Sequence, residues 1–290
     1  MEQKTDNTLF LTCCDHSVSG EFFNIRFKSN ENLLKTEVSL SEAELQRYYE
    51  TNDYISHSNQ KQTCFERIYF AARELTQYQK LRLISRFKPK SPSSALLDFG
   101  AGVGHFVHAA NRQGWQACGV EISQKARTIA NTKSPETVFP LNYLDTLQQN
   151  SQTIITMWHV LEHLKNPDQY IKQIKPLLRK DGRLIVAVPN FKSYDAAYFA
   201  SFWAAYDVPR HLWHFSQNAI SELFERHDME VESTHPMWLD AFYVSLISTK
   251  YKFNSMKLWR GLWVGLVSNL KAMKTREFSS IIYVIKHQNN

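Results

Sequence analysis

Three glycines at alternate positions, Gly100, Gly102 and Gly104, close the apolar run SALLDFGA and open the stretch GHFVHAANR. A glycine turn leaves backbone N–H groups without a neighbouring Cβ, so a ligand can lie directly against the chain. Glu121 ends the run QACGVEIS seventeen residues after Gly104, where a carboxylate can accept both hydroxyls of a ribose. Asp98 stands at the rim of the first run, within reach of an ammonium group directly or through water. His105 occupies the place where a dinucleotide fingerprint has Gly or Ala, so the tight packing that supports a pyrophosphate is not specified.

A second group of polar residues follows the run QTIITMWHV. His159 ends it, and Glu162 and His163 come next. A histidine titrating near neutrality suits removal of a proton from a hydroxyl, although one at a sheet edge can also simply line a cleft. The third group is YDVPRHLWHFS, residues 206–216. Its spacing lets Asp207 and Arg210 pair across a turn favoured by Pro209 and places Ser216 as a helix N-cap. Leu212 and Phe215 should pack inward, with Trp213 and His214 mainly structural, leaving Tyr206, Arg210 and His211 to touch substrate.

These groups need a scaffold, and the apolar runs supply one. Runs at 94–101, 116–123, 137–142, 152–160 and 182–190 read as strands, with helices between them and a turn at Asp181-Gly182. Nearly every residue in these runs is apolar, as in strands covered on both faces by crossover helices. The pattern predicts an α/β fold with a doubly wound, largely parallel sheet. Ligands in such sheets sit outside the carboxyl ends of the strands, where all three polar groups fall. The helix QNAISELFERH and the strands EVESTHPMW and SSIIYVIKH complete the domain, 61–290, and Thr63 to Arg86 reads as one amphipathic helix before the sheet. Residues 1–60 read as a small attachment with a hairpin in EFFNIRF and LLKTEVSL.

Within the insertion 241–278, Trp259, Leu262, Trp263, Leu266, Leu270 and Met273 recur at helical spacing, the mark of ordinary packing, of a lid, or of contact with a membrane surface. From Ala241 to the end there are eight basic residues and one acid, Glu277, so the net charge of +6 is concentrated there. The four cysteines include no C-x-x-C pair, and no metal is expected. A cytoplasmic protein is expected, since there is neither a secretory leader pattern nor a run of about 18 apolar residues.

In order, LLDFGAGVG, GVEIS, MWHVLEHLKNP and RLIVAVPN resemble the motifs of class I S-adenosylmethionine-dependent methyltransferases. The combination PNFKSYDAAYFASFWAAYDVPRHLWHFS resembles the bacterial methyltransferase type 23 group, which is similar to ubiquinone O-methyltransferases. The resemblance implies a Rossmann-like seven-stranded sheet with an antiparallel C-terminal strand and helices on both faces. It also implies S-adenosyl-L-methionine as cofactor, a ligand without phosphates, held by Asp98, Gly100, Ala101, Gly102, Gly104, Glu121, Ile122, Asn142, Trp158 and His159. His159, His163 and His211 are the catalytic candidates it leaves. Several relatives carry two zinc-binding cysteine pairs in the attachment; Cys13-Cys14 alone remains here, so a degenerate hairpin without zinc is expected. Tyr54 and His57 lie in a segment that leads into the domain in those relatives, able to serve as a lid.

The resemblance implies methylation of oxygen on a small or lipid-like acceptor. An RNA-modifying enzyme using the basic tail, or a cofactor-binding scaffold without turnover, are the alternatives. MWHV stands where base N-methyltransferases of this kind carry D/N-P-P-Y/F, and no cysteine nucleophile for pyrimidine C5 lies near the strand ends, so nucleic acid is disfavoured.

Overall fold

Runs such as TIIT in 153–156 and LIVAV in 184–188 have no face that tolerates water, and the chain places them at the centre of a seven-stranded sheet. A computed structural model describes residues 7–29, 32–41, 44–45, 47–49, 64–88 and 94–288, without the side chains of 29 and 64–73. Tyr54 and His57 lie outside the described residues.

The attachment contributes β1 (Leu9–Cys14), β2 (Phe22–Ser29) and β3 (Leu33–Thr36). Helix α1 (Cys64–Ser85) leads into the sheet domain. There β4 (Ala95–Phe99), α2 (His105–Arg112), β5 (Gln116–Val120), α3 (Gln124–Lys133), the two-residue β6 (Val138–Phe139) and β7 (Gln152–Trp158) alternate. They are followed by α4 (Pro167–Ile174), β8 (Leu178–Pro189), α5 (Tyr194–Phe199), β9 (Trp213–Phe215) and α6 (Gln217–Glu225). The chain closes with β10 (Met229–Pro236), α7 (Trp238–Phe253), α8 (Leu258–Thr275) and β11 (Ser280–His287).

The main sheet has the order β10-β11-β8-β7-β4-β5-β6, parallel except that β11 runs antiparallel to both its neighbours. One core, around Leu97, Ile155, Val186 and Phe224, covers one face; a second, around Ile84, Leu96, Val107 and Ile154, covers the other. Strand β8 starts earlier than the sequence suggests. Instead of forming a turn, Asp181-Gly182 lies within it, in an irregular stretch where the register passes from Gln152↔Leu178 to Ile154↔Arg183. The expected caps are present: the Ser123 and Ser216 hydroxyls accept from the N–H groups of Ala126 and Ala219.

The attachment is tied to the domain by the chain's own third polar group. Strand β9, within 206–216, pairs antiparallel with β3 and so adds a fourth strand to β1-β2-β3. Arg210 donates to the Asp207 carboxylate, the Tyr48 carbonyl and the Ser17 hydroxyl, fastening the two parts from the side. The expected Asp207–Arg210 pair thus forms, but it faces the attachment.

Helices α7 and α8 form an antiparallel pair whose closeness depends on two glycines. A Cβ on Gly265 would lie 2.8 Å from the Phe242 Cα and 2.9 Å from the Ala241 carbonyl oxygen; one on Gly261 would lie 2.9 Å from the Leu246 Cα. Beneath them the fully buried Asp195 carboxylate accepts from Trp203 Nε1, Ser268 and Ser279, each at 2.7 Å, joining α5, α8 and the start of β11. Because the obstructing atoms at Gly265 are backbone, Gly265→Ala should lower stability by about 1–3 kcal/mol. Denaturant unfolding with an unchanged midpoint would show that the helices can separate at no cost.

Candidate active site

Two close approaches shape the loop after β4. A Cβ on Gly100 would lie 2.5 Å from Val160 Cγ2, and one on Gly119 would lie 2.4 Å from the Ala101 Cβ. The loop is therefore pressed between the end of β7 and the face of β5. Gly100, Gly102 and Gly104 all have positive φ, at 77°, 53° and 76°. A Cβ on Gly102 would meet nothing within 4 Å, so this part of the loop borders open space.

Glu121 continues from β5 directly beside that space. Its carboxylate accepts from the Gly102 N–H at 2.9 Å and the Ser123 N–H at 2.8 Å, which fixes both oxygens and leaves each a second lone pair. Ile122, next in the chain, is 82% exposed, although it is a large apolar residue, and Asn142 is exposed beyond β6. The indole N–H of Trp158 is buried without a partner, and its ring packs edge-on to Phe106 at 5.2 Å. A loop without Cβ atoms at Gly100, Gly102 and Gly104, an anchored carboxylate, an uncovered apolar side chain and an unpaired donor fit a nucleoside ligand with an amino-acid end.

Asp98, at the end of β4, lies deeper than its rim position suggests. Burial pushes its carboxyl up to about 7, against the Thr156 hydroxyl that donates at 2.6 Å and the nearby Lys80 ammonium. Lys80 reaches in from α1 and stacks on Trp158, 4.4 Å from the ring centroid. Burial pulls its ammonium down, and Asp240 and Asp98 oppose that.

His159 has a positive φ of 56°, a strained conformation for a side chain with Cβ. Its ring is clamped: Nδ1 lies 3.2 Å from Glu162 Oε1, and Nε2 lies 3.3 Å from Asp240 Oδ2. Burial alone would push this imidazole down, but the hydrogen bonds with Asp240 and Glu162 hold it up to about 9. Both nitrogens are then donors, so the ring is a poor acceptor of a substrate proton, a correction to its place among the base candidates. Sequence reasoning also missed Lys80 and Asp240. Asp240 was detectable as the acid in the first turn of an otherwise basic helix; Lys80 carried no signal beyond its place on an amphipathic helix.

His163 is different. Burial, reinforced by the neighbouring His211, pushes it down to about 4, so it is neutral at pH 7. Its Nδ1 lies 3.0 Å from the Arg210 carbonyl, and Nδ1 of His211 lies 2.9 Å from that of Ala205. Carbonyls only accept, so each Nδ1 donates; Nε2 of the neutral His163 keeps its lone pair, while Nε2 of His211 lies 3.8 Å from Asp207 Oδ2. The two rings meet edge-on at 4.5 Å. Glu162, His163 and His211 bring one ligand atom each to within 4.8 Å of one another, the one group of such geometry among the described residues, and Glu162 Oε2 is buried without a partner. These are the side chains that could hold a metal where the sequence led us to expect none.

The expected substrate contacts divide. Tyr206 is 2% exposed and packs against Trp203 and His214, because the attachment covers it; it is a core residue, not a wall of the acceptor site. Arg210 is occupied with the attachment, as described above. His211 is buried beside His163. As expected, His214 is structural: Thr36 Oγ1 lies 3.0 Å from its Nε2, and burial pushes it down to about 3.

A family model described as a methyltransferase domain matches residues 70–234. A ubiquinone biosynthesis O-methyltransferase from Coxiella burnetii is 29% identical over 107 residues, 34% of this chain and 46% of that protein. A protein of the same name from Hydrogenovibrio crunogenus is 26% identical over 140 residues, 45% of this chain and 58% of that one. The chain thus spans about half the length of these relatives. The geranyl diphosphate C-methyltransferase of Streptomyces coelicolor A3(2) shares the fold, with a TM-score of 0.52 and 14% identity over 80% of this chain and 89% of its own.

The clamp on His159 has a pH signature. A folded-state value near 9, above the ordinary 6.5, gives stability that is full below about pH 6.5 and is lost as pH rises through 9. The ring is 32% exposed, so solvent screening limits the gain to about 1 kcal/mol. Ring-nitrogen NMR should find both nitrogens protonated at pH 8, and His159→Asn should flatten the fall in stability above neutrality. A midpoint near 6.5 would mean that the carboxylates do not hold the proton.

Proposed function

The chain belongs to the methyltransferase-domain family, and from that membership we propose that it is a cytoplasmic enzyme that transfers a methyl group from S-adenosylmethionine to an oxygen of a small or lipid-like acceptor. The observation that carries the reading is the Glu121 carboxylate, held by two N–H groups beside the open side of Gly102. S-adenosylmethionine would supply an electrophilic methyl on a sulfonium, so that the protein's task is to align the acceptor and remove its proton.

In this reading Glu121 accepts the ribose hydroxyls, Ile122 packs against the base, and the backbone of Gly100 to Gly104 lies along the amino-acid end, with Asp98 behind it. Trp158 ends β7 with its indole N–H buried and unpaired and the Lys80 ammonium over its ring. His159 stays protonated and orients the end of β7, with Asp240 drawing the N-terminus of α7 over the site. The proton side falls to His163, whose Nε2 keeps a lone pair, or to His211 packed edge-on against it. His163 is weakly basic, so it accepts a hydroxyl proton as the acceptor oxygen becomes acidic on attack. The oxygen acceptor is favoured by the names of the matched relatives, which are O-methyltransferases.

Calorimetry should detect S-adenosylmethionine or its demethylated product, with affinity falling at least tenfold, about 1.4 kcal/mol, in Glu121→Ala while circular dichroism is unchanged. Absence of binding to the unmodified protein would sink the reading, and unchanged affinity in the variant would misplace the ribose. Methyl-labelled donor offered to separated lipid, metabolite and RNA extracts should label lipid or metabolite. Label confined to RNA would favour the RNA-modifying alternative, and label in none would favour a scaffold.

A further inference from the structure

The stripe that the periodicity marked on α8 does not pack. Trp259 is 87% exposed and Trp263 66%, and Leu262, Leu266, Leu270 and Met273 are exposed beside them. The opposite side of the helix, Gly261, Val264, Gly265, Ser268, Asn269 and Ala272, is the buried one. At about 100° per residue the two sets face opposite ways, so the apolar stripe points directly away from the body of the protein. Ordinary packing, one of the three readings the periodicity allowed, is overturned. Side-chain size explains the inversion: only the glycine-rich side lets α8 approach α7 this closely.

The border of the stripe is cationic. Along one edge stand Arg260, Lys271 and Lys274, and Lys257 precedes the helix. Arg260 donates to the Tyr198 hydroxyl and Lys271 lies 3.8 Å over the Tyr194 ring, so their stems are held at the edge and not folded across the tryptophans. The one acid after residue 241, Glu277, is turned toward Asn190 and Gln217. Two copies meeting through this face with their helices antiparallel would bring the two cationic edges together. No described helix is long and apolar enough to cross a membrane.

We propose that the outer face of α8 docks in the plane of an anionic lipid bilayer, its tryptophans and leucines entering the headgroup boundary and its lysines and arginine pairing with lipid phosphates. Helix α8 packs against α7, whose Asp240 holds His159, so docking sets the helix pair beside the active site against the membrane. An acceptor dissolved in the bilayer then has a short path to that site. This last point rests on the proposed methyl transfer; docking itself does not.

The test needs no cofactor. The full chain should co-sediment with vesicles in which about a third of the phosphatidylcholine is replaced by phosphatidylglycerol, and poorly with phosphatidylcholine alone. Salt at about 0.5 M should weaken the binding. A Trp259→Ser, Trp263→Ser double variant alters only exposed side chains and should reduce binding about tenfold with circular dichroism unchanged. Equal binding to both vesicle types, or no binding to either, would overturn the proposal. So would sedimentation equilibrium showing a dimer that the double variant abolishes, which would assign the face to a second copy. Calorimetry of S-adenosylmethionine on the same double variant keeps this result separate from the enzymatic reading.

Discussion

The loop from Gly100 to Gly104 has its shape because no Cβ stands at Gly100 or Gly119, and the rest of the site depends on those two approaches. With Val160 against one glycine and Ala101 against the other, the loop cannot lift from the sheet without opening a void. Its N–H groups are thereby aimed, Gly102 reaches the Glu121 carboxylate, and the open side of the loop becomes a surface on which a ligand can lie. A side chain at Gly119 would have to move the Ala101 Cβ and with it the loop backbone, and one at Gly100 would displace the Val160 methyls from a position whose φ of 77° already disfavours a Cβ.

A second constraint is electrostatic and joins distant parts of the chain. His159 is strained at φ 56°, and it persists because its ring bridges Glu162, on the same turn, to Asp240, in the first turn of α7. The insertion is anchored again where Asp195 collects Ser268, Ser279 and Trp203. Helices α7 and α8 are therefore part of the site's architecture, with an inner surface that covers the sheet ends and an outer one left bare. The attachment is integrated in the same manner, through β9 and Arg210, so residues 206–216 serve mainly to join it to the domain.

The sheet and the loop were legible because both are local. Runs such as TIITM can only be central strands, and Gly100, Gly102 and Glu121 announce themselves by type and spacing. The partners of His159 and Asp98 were legible only in part: Asp240 stood out as the one acid of a basic helix, but Lys80 carried no signal, and single-sequence spacing does not say which helices meet the sheet ends. The stripe on α8 was found by period, but period does not say which side faces the protein; Gly261 and Gly265 decided that by size. Tyr206 and Arg210 looked like substrate contacts because polar and aromatic residues crowd a loop at the strand ends, a position that a covering attachment converts into an interior.

The central claim is that the loop after β4 and Glu121 together form a nucleoside cradle. Its most direct test is a crystal structure with S-adenosylhomocysteine bound. The account predicts the ribose hydroxyls on the Glu121 carboxylate, the base against Ile122 and the amino-acid end over Gly100 to Gly102. A ligand bound elsewhere, with Glu121 still bonded only to the N–H groups of Gly102 and Ser123, would contradict it.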